Sequence, residues 1–151
     1  MTMVEAAKDL VALSCLLLDE EKFDAYLALF SPESRYSIRT YSPELRKDIS
    51  MLDLDRTELG VLFKNLPKHV RLPGRFLRLA NGTVVESTGD DEVSIATSVL
   101  VTHTDLEGIS RVFAAGRYRD KVMMVDGKPR IGEREVRVDT RQFGPGSHIP
   151  L

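Results

Sequence analysis

The spacing of apolar residues differs between the beginning of this chain and its second half, and the difference limits what it can fold into. Over about the first thirty residues they return every three or four positions, the period of a helix. Beyond residue 75 they alternate with polar residues, the period of a strand. A chain that is helical first and sheet-like afterwards builds an α+β layer fold, with its helices packed on one face of a curved, mostly antiparallel sheet.

The helical part reads in three pieces. Thr2-Met3-Val4-Glu5 has the capping-box pattern, so residues 3–18 form a helix. Its apolar positions are Val4, Ala7, Val11, Ser14 and Leu18, with Leu10, Leu13 and Leu17 beside them. A second helix is expected from an Asp19 or Glu20 cap through Phe30, ended by Ser31-Pro32-Glu33 because proline cannot continue the ladder. Asp55 with Glu58 three residues on starts a third helix, which runs to Asn65 and buries Leu59, Leu62, Phe63 and Leu66. Between the second and third helices, residues 34–41 read as a strand and the polar stretch 42–52 as a loop.

The remainder reads as hairpins. Residues 75–79 and 83–87 are strands around the Asn81-Gly82 turn signal. Residues 92–104 alternate with Val93, Ile95, Thr97, Val99 and Val101 on one face. Residues 109–125 are long enough to need a bend, expected at Gly116. Asp126-Gly127 is a hairpin turn, and residues 129–140 close the sheet. No internal repeat or low-complexity segment is present.

At 151 residues the chain fits a single domain spanning 1–151, with 142–151 as a tail that is either flexible or reaches a neighbour. Hydrophobic residues at 42% make it too apolar for a disordered chain. The net charge is -2 and is balanced along both halves, so no basic stripe offers itself to nucleic acid. No apolar run approaches the ~20 residues that span a bilayer, so no membrane association is expected. The opening residues lack the basic region and cleavage site of a signal peptide. A lone Cys15 makes no internal disulfide, and a reducing cytoplasm is the expected compartment.

Metal and nucleotide chemistry are poorly supplied. His69, His103 and His148 are far apart, and none has a neighbour at ligand spacing. A Rieske cluster needs two Cys and two His, and a zinc finger needs four such ligands. Glycine-rich nucleotide loops and the Gly-x-Ser-x-Gly elbow are absent. Cys15, set among leucines, reads as a buried, inert thiol.

Several stretches resemble one family across nearly the whole chain. Residues 16–30, Leu-Leu-Leu-Asp-Glu-Glu-Lys-Phe-Asp-Ala-Tyr-Leu-Ala-Leu-Phe, resemble the opening helices of the small (beta) subunit of Rieske-type ring-hydroxylating oxygenases. Ser34-Arg35-Tyr36-Ser37-Ile38 is similar to that family's aromatic strand, and Gly116-Arg117-Tyr118-Arg119-Asp120 to its Gly-x-Tyr-x-Asp strand. Residues 131–139, from Ile131-Gly132-Glu133 to Val138-Asp139, resemble its closing strand. Residues 41–48, 62–69 and 138–150 resemble more narrowly the small hydroxylase subunit of methanesulfonate monooxygenase. One segment departs: where the family reads like Thr-Arg-His followed by Asn, this chain has residues 73–81 with no histidine.

The resemblance implies a nuclear-transport-factor-2-like (SnoaL-like) cone. It also implies a non-catalytic subunit with no cofactor of its own. The Rieske iron-sulfur cluster and mononuclear iron would sit in a large (alpha) partner, within an assembly of three large and three small subunits that hydroxylates an aromatic compound or a small sulfonate. The chain could also associate with itself as a trimer or dimer. The alternative is a stand-alone pocket enzyme of the same fold, a ketosteroid-isomerase-, dehydratase- or cyclase-like protein.

Each reading selects candidates. His103 and Asp105 share a strand face and could form an acid–base pair, or simply end a strand near a turn. Tyr36 and Asp55, with Tyr41 and Asp53, could line a pocket mouth, or Tyr36 could pack in the core while Asp55 caps a helix. Arg117, Arg134 and Arg137, with Tyr118, Asp120 and Asp139, sit on neighbouring strands among Arg119, Glu133 and Glu135. They read as a cross-strand ladder, either a solvated face or an oligomer surface.

Overall fold

A computed structural model describes residues 1–143 and 150–151. Helix α1 spans Met3–Asp19, and its capping box is present: the Thr2 hydroxyl accepts from the Glu5 N–H, and the Glu5 carboxylate accepts from the Thr2 N–H. Its buried stripe runs Ala7, Leu10, Val11, Ser14, Cys15, Leu17 and Leu18. That stripe packs across strands β3 (Arg75–Thr88), β4 (Glu92–Thr104) and β6 (Lys128–Val138). Helix α3, Arg56–Asn65, starts at Asp55 with its own capping box to Glu58 and buries Leu59 and Phe63. A 3-10 turn, Leu66–Lys68, follows. No helix among the described residues is long and apolar enough to cross a membrane.

Six strands form one sheet in the order β2-β1-β6-β5-β4-β3, where β1 is Phe30–Ser42, β2 Lys47–Asp55 and β5 Ser110–Val125. Every neighbouring pair is antiparallel except β1 and β6, which run parallel. The last strand is therefore inserted between the first and the fifth. The Asp126-Gly127 turn forms as expected. Both residues have positive φ, 51° and 76°, as a two-residue hairpin turn of the primed type requires.

Several local readings are corrected. The second helix, α2, covers only Phe23–Leu27. Asp19 ends α1 and Glu20 caps its C-terminus, so neither starts α2. The Ile131 N–H donates to the Leu29 carbonyl at 2.8 Å and Phe30 pairs with Ile131, so sheet pairing takes the residues a longer helix would have used. Pro32 lies where the β1–β6 register shifts, a place that needs no proline N–H. Most of the expected 42–52 loop is β2, a polar edge strand. The Asn81-Gly82 signal makes a register shift inside an unbroken β3 rather than a hairpin. Gly82 supplies the positive φ of 66° there, and the chain reverses beyond Thr88 instead. The irregularities of β5 fall at Val101/Thr102 against β4 and at Lys121/Val122 against β6, not at Gly116. A Cβ on Gly116 would run into the Arg137 carbonyl, so that glycine serves the close approach of two strands.

Candidate functional site

Alternation along β5 and β6 decides which charges lie inside. Tyr118, Asp120 and Val122 point inward from β5, and Ile131, Arg134, Val136 and Val138 from β6. Between the sheet and α1 lies a buried polar cluster centred on Arg134, whose side chain and that of Asp120 are both 0% exposed. The guanidinium grips the carboxylate with two bonds, Nε to Oδ1 at 2.8 Å and Nη2 to Oδ2 at 3.1 Å. Its Nη1 donates to Ser14 Oγ at 2.9 Å, and Ser14 donates to the Val11 carbonyl at 2.7 Å. The Arg134 Cζ stands 4.1 Å from the Tyr118 ring centre, a cation–π contact.

A second set closes the same space. Arg78 points inward from β3 and pairs with Asp19 at 2.7 Å. Its Nη2 donates to the Pro150 carbonyl at 2.8 Å. Tyr36 donates its hydroxyl to the main-chain oxygen of Leu151 at 2.9 Å. Pro150 and Leu151 are both buried, so this segment of the expected tail lies against the core of its own chain. Phe143 packs on Phe113, and residues 144–149, with His148, lie outside the described residues. The hydroxyls of Tyr26 and Tyr118 lack a well-aligned hydrogen bond, although Arg134 stands close to the first and Cys15 close to the second.

The electrostatics leave little to titrate. Burial pushes the hydroxyls of Tyr26, Tyr36 and Tyr118 and the Cys15 thiol above their ordinary values. Burial alone would pull Arg134 down, but Asp120 and the surrounding tyrosines outweigh it and hold the guanidinium protonated. Such a cluster is made to stay as it is. Among the described residues no three metal-binding side chains come together.

The other candidates take separate places. His103 Nε2 meets the Pro73 carbonyl at 2.8 Å, and its ring lies against Phe76. Asp105 accepts from the N–H groups of Ile109 and Glu107 at 3.0 and 2.9 Å, bonds that hold its carboxyl below the usual value. It also meets Arg111 at 3.5 Å. The shared strand face does not make His103 and Asp105 a pair: each bonds elsewhere, and not to the other. Asp55 caps α3, while Tyr36 is engaged with Leu151, so these two do not face one cavity. Asp53 pairs with Arg35 at 2.6 Å, and Tyr41 is exposed.

The arginine ladder divides in two. Tyr118, Asp120 and Arg134 are not on a surface, because their even spacing with core valines turns them inward. Arg117, Arg137 and Asp139 stay outside, where Arg137 pairs with Asp48 at 2.7 Å and Glu135 at 3.1 Å. Ser14, Arg78 and the Pro150–Leu151 segment complete the interior and had no distinct sequence signal. Arg78 lies between Leu77 and Leu79, which are about half exposed, so the hydrophobic pattern points to the opposite face of β3.

This geometry has counterparts. Residues 1–135 match the SnoaL-like domain, and the chain belongs to that family. It is 30% identical over 135 residues to the 2-aminobenzenesulfonate 2,3-dioxygenase subunit beta of Alcaligenes sp, covering 89% of this chain and 90% of that one. It is 28% identical over 157 residues to the methanesulfonate monooxygenase hydroxylase subunit beta of Methylosulfonomonas methylovora, covering 97% and 86%. Among solved structures, the beta subunit described as part of an aromatic-ring-hydroxylating dioxygenase from Novosphingobium aromaticivorans superposes with a TM-score of 0.80 at 23% identity, over 91% of this chain and 90% of that one. A protein from the same organism described as a scytalone dehydratase superposes at 0.69 with 17% identity, over 97% and 90%. The fold is therefore shared by oxygenase beta subunits and by a protein described as a dehydratase.

Proposed function

We propose that this chain is the small, non-catalytic beta subunit of a multicomponent Rieske non-haem iron oxygenase. The observation that carries the reading is the buried polar cluster between helix and sheet, whose members are bonded to one another. Arg134 and Asp120 bond each other, Tyr36 bonds Leu151, and all of them are buried, so these groups are engaged within the chain. The arginine there is held charged, the tyrosines are held neutral, and no candidate pair of the alternative reading is assembled. The extended similarity to two oxygenase beta subunits supports the same conclusion.

In this reading the iron-sulfur cluster and mononuclear iron belong to a large alpha subunit. The complex is a cytoplasmic hexamer of three large and three small chains. Both beta subunits it resembles belong to enzymes named for sulfonates, which favours an aromatic or small sulfonate as the substrate class. None of the candidate residues touches substrate; their part is to give the cone a rigid, permanently folded wall. Co-expression with the large-subunit gene of a Rieske oxygenase from the same source tests this. The expected result is a stable complex with all the iron in the large chain. Stoichiometric iron on this chain alone, or turnover of a small molecule by it unaided, would overturn the proposal.

A further inference from the structure

Three cations line one cleft, and the chain pairs none of them. Arg56 opens α3, and Lys128 and Arg130 lie two apart on β6, where they share a strand face. All three line a cleft of about 580 Å³ between the end of α2 and the β5–β6 hairpin. One carboxylate, Asp126, lines it too, so the lining carries three positive charges against one negative. None of these four side chains forms an ion pair with any described residue.

The two arginines are not simply left to water. Both are half-buried, and the Arg56 Nε is buried with no hydrogen-bond partner. Burial has taken water from that nitrogen, and no acceptor of the chain replaces it, which is unfavourable and uncommon in native structures. The acids nearest to it in sequence are engaged elsewhere: the Asp55 and Glu58 carboxylates accept from main-chain N–H groups in the capping box of α3. The Arg130 guanidinium bonds, among the described residues, only the carbonyl of neighbouring Pro129, at 3.0 Å. Its planar fork keeps further donors free for an acceptor.

The rest of the lining is apolar. Phe30 and Pro32 at the start of β1 and Val125 at the end of β5 stand beside the cations. A cleft that combines charge of one sign with low-dielectric walls focuses its field and draws an oppositely charged ligand in. Its volume lies in the range of small-molecule sites, which pair an apolar lining with a few polar groups that fix orientation.

We propose that this cleft binds an organic anion: an oxyanion head, such as a sulfonate or carboxylate, on a small apolar body. Arg56 and Arg130 take the head, because a guanidinium meets two oxygens of one group at once, and Lys128 adds a further positive charge. The apolar lining flanks the body. The inference goes beyond the subunit reading and does not depend on it, because the site is built from this chain alone.

Isothermal titration calorimetry and amide chemical-shift mapping on the purified chain test this at low salt, with benzenesulfonate and benzoate as probes. At least one of the two is expected to bind with a dissociation constant at or below about 1 mM. The tighter of the two names the head. The shifted amides should be those of residues 28–31 and 125–130, and the affinity should fall as salt is added. R56Q and K128Q/R130Q should each weaken binding about tenfold or more while melting like wild type. Inorganic sulfate, a head without a body, and benzyl alcohol, a body without an anionic head, should each bind at least about tenfold more weakly. Saturation by neither aryl anion, shifts confined to other residues, or folded variants that bind as tightly as wild type would each overturn the inference. So would sulfate or benzyl alcohol binding as tightly as the aryl anion. If a variant fails to fold, the wild-type map and the two comparison ligands decide the matter.

Discussion

The two faces of one sheet treat charge in opposite ways. On the inner face Arg134 and Asp120 are fully buried and satisfy each other with two bonds, with Ser14 taking a third donor. On the outer face Arg35 and Arg137 pair while partly exposed to solvent, and Arg39 and Arg117 form no ion pair with any described residue. Burial makes geometry obligatory, because an unmatched charge inside costs several kcal/mol. Exposure makes it optional, because water solvates whatever is left over. The inner face therefore tells how the chain stays folded, and the outer face leaves its charges largely to water.

The largest effect should come from breaking the inner pair one side at a time. Arg134→Ala leaves Asp120 buried and alone, and should cost about 3–5 kcal/mol. Thermal denaturation should show the midpoint falling by roughly 10 °C or more, since about 1 kcal/mol moves a chain of this length by some 2–4 °C. The double variant R134M/D120L removes both charges and should recover most of that loss. A double variant as unstable as the single would mean that the pair itself, and not its desolvation, holds the fold.

Next comes the Leu151 contact. Leu151→Ala removes a buried side chain and should cost about 2–4 kcal/mol, whereas Tyr36→Phe removes only a hydrogen bond and should cost about 1 kcal/mol. Urea titration of both variants gives the order directly. If Leu151→Ala is neutral, the segment 150–151 is not part of the core.

The outer face should respond least. Arg35→Ala breaks a 2.6 Å pair to Asp53 in which both side chains are about half exposed, so its cost should be within about 1 kcal/mol and should fade with added salt. Asp105 gives a pH-dependent counterpart. Its carboxyl is held below the ordinary 3.8 by main-chain N–H groups, so its contribution is fully present above that value and is lost as pH falls through the lower, folded one. Asp105→Asn should lower stability slightly at neutral pH and, with that contribution gone, flatten the acid side of a stability-against-pH curve. An acid limb as steep as that of wild type would show that other carboxylates carry it.

The parts legible in sequence were those whose cause is local. Thr2 with Glu5 and Asp55 with Glu58 mark helix starts because each box closes within three residues. Asp126-Gly127 marks a turn because two adjacent residues carry its dihedral angles. The parts that were not legible depend on distant partners. β2 looks like a loop because an edge strand needs little apolar surface, and the chain leaves α2 early because Ile131, a hundred positions away, bonds the Leu29 carbonyl just beyond it. The site was half legible. The residues Arg134, Asp120 and Tyr118 were singled out, but placing Arg134 with Arg137, three positions apart on one strand, ignored that odd spacings lie on opposite faces. Nothing in the sequence pairs Arg134 with Ser14 or Arg78 with Pro150.

The parallel pairing of β1 and β6 also dictates when the molecule can become itself. During synthesis β1 and β2 leave the ribosome early, and β3, β4 and β5 can zip into a meander, but the two pieces have no strand in common until residue 138 has been made. A nascent chain thus carries an open β1 edge from early on and an open β5 edge from residue 125 until β6 is made, a state in which unpaired strands are prone to stick to one another. Arrival of the last strand seals both edges at once and completes the Arg134–Asp120 pair in the same step.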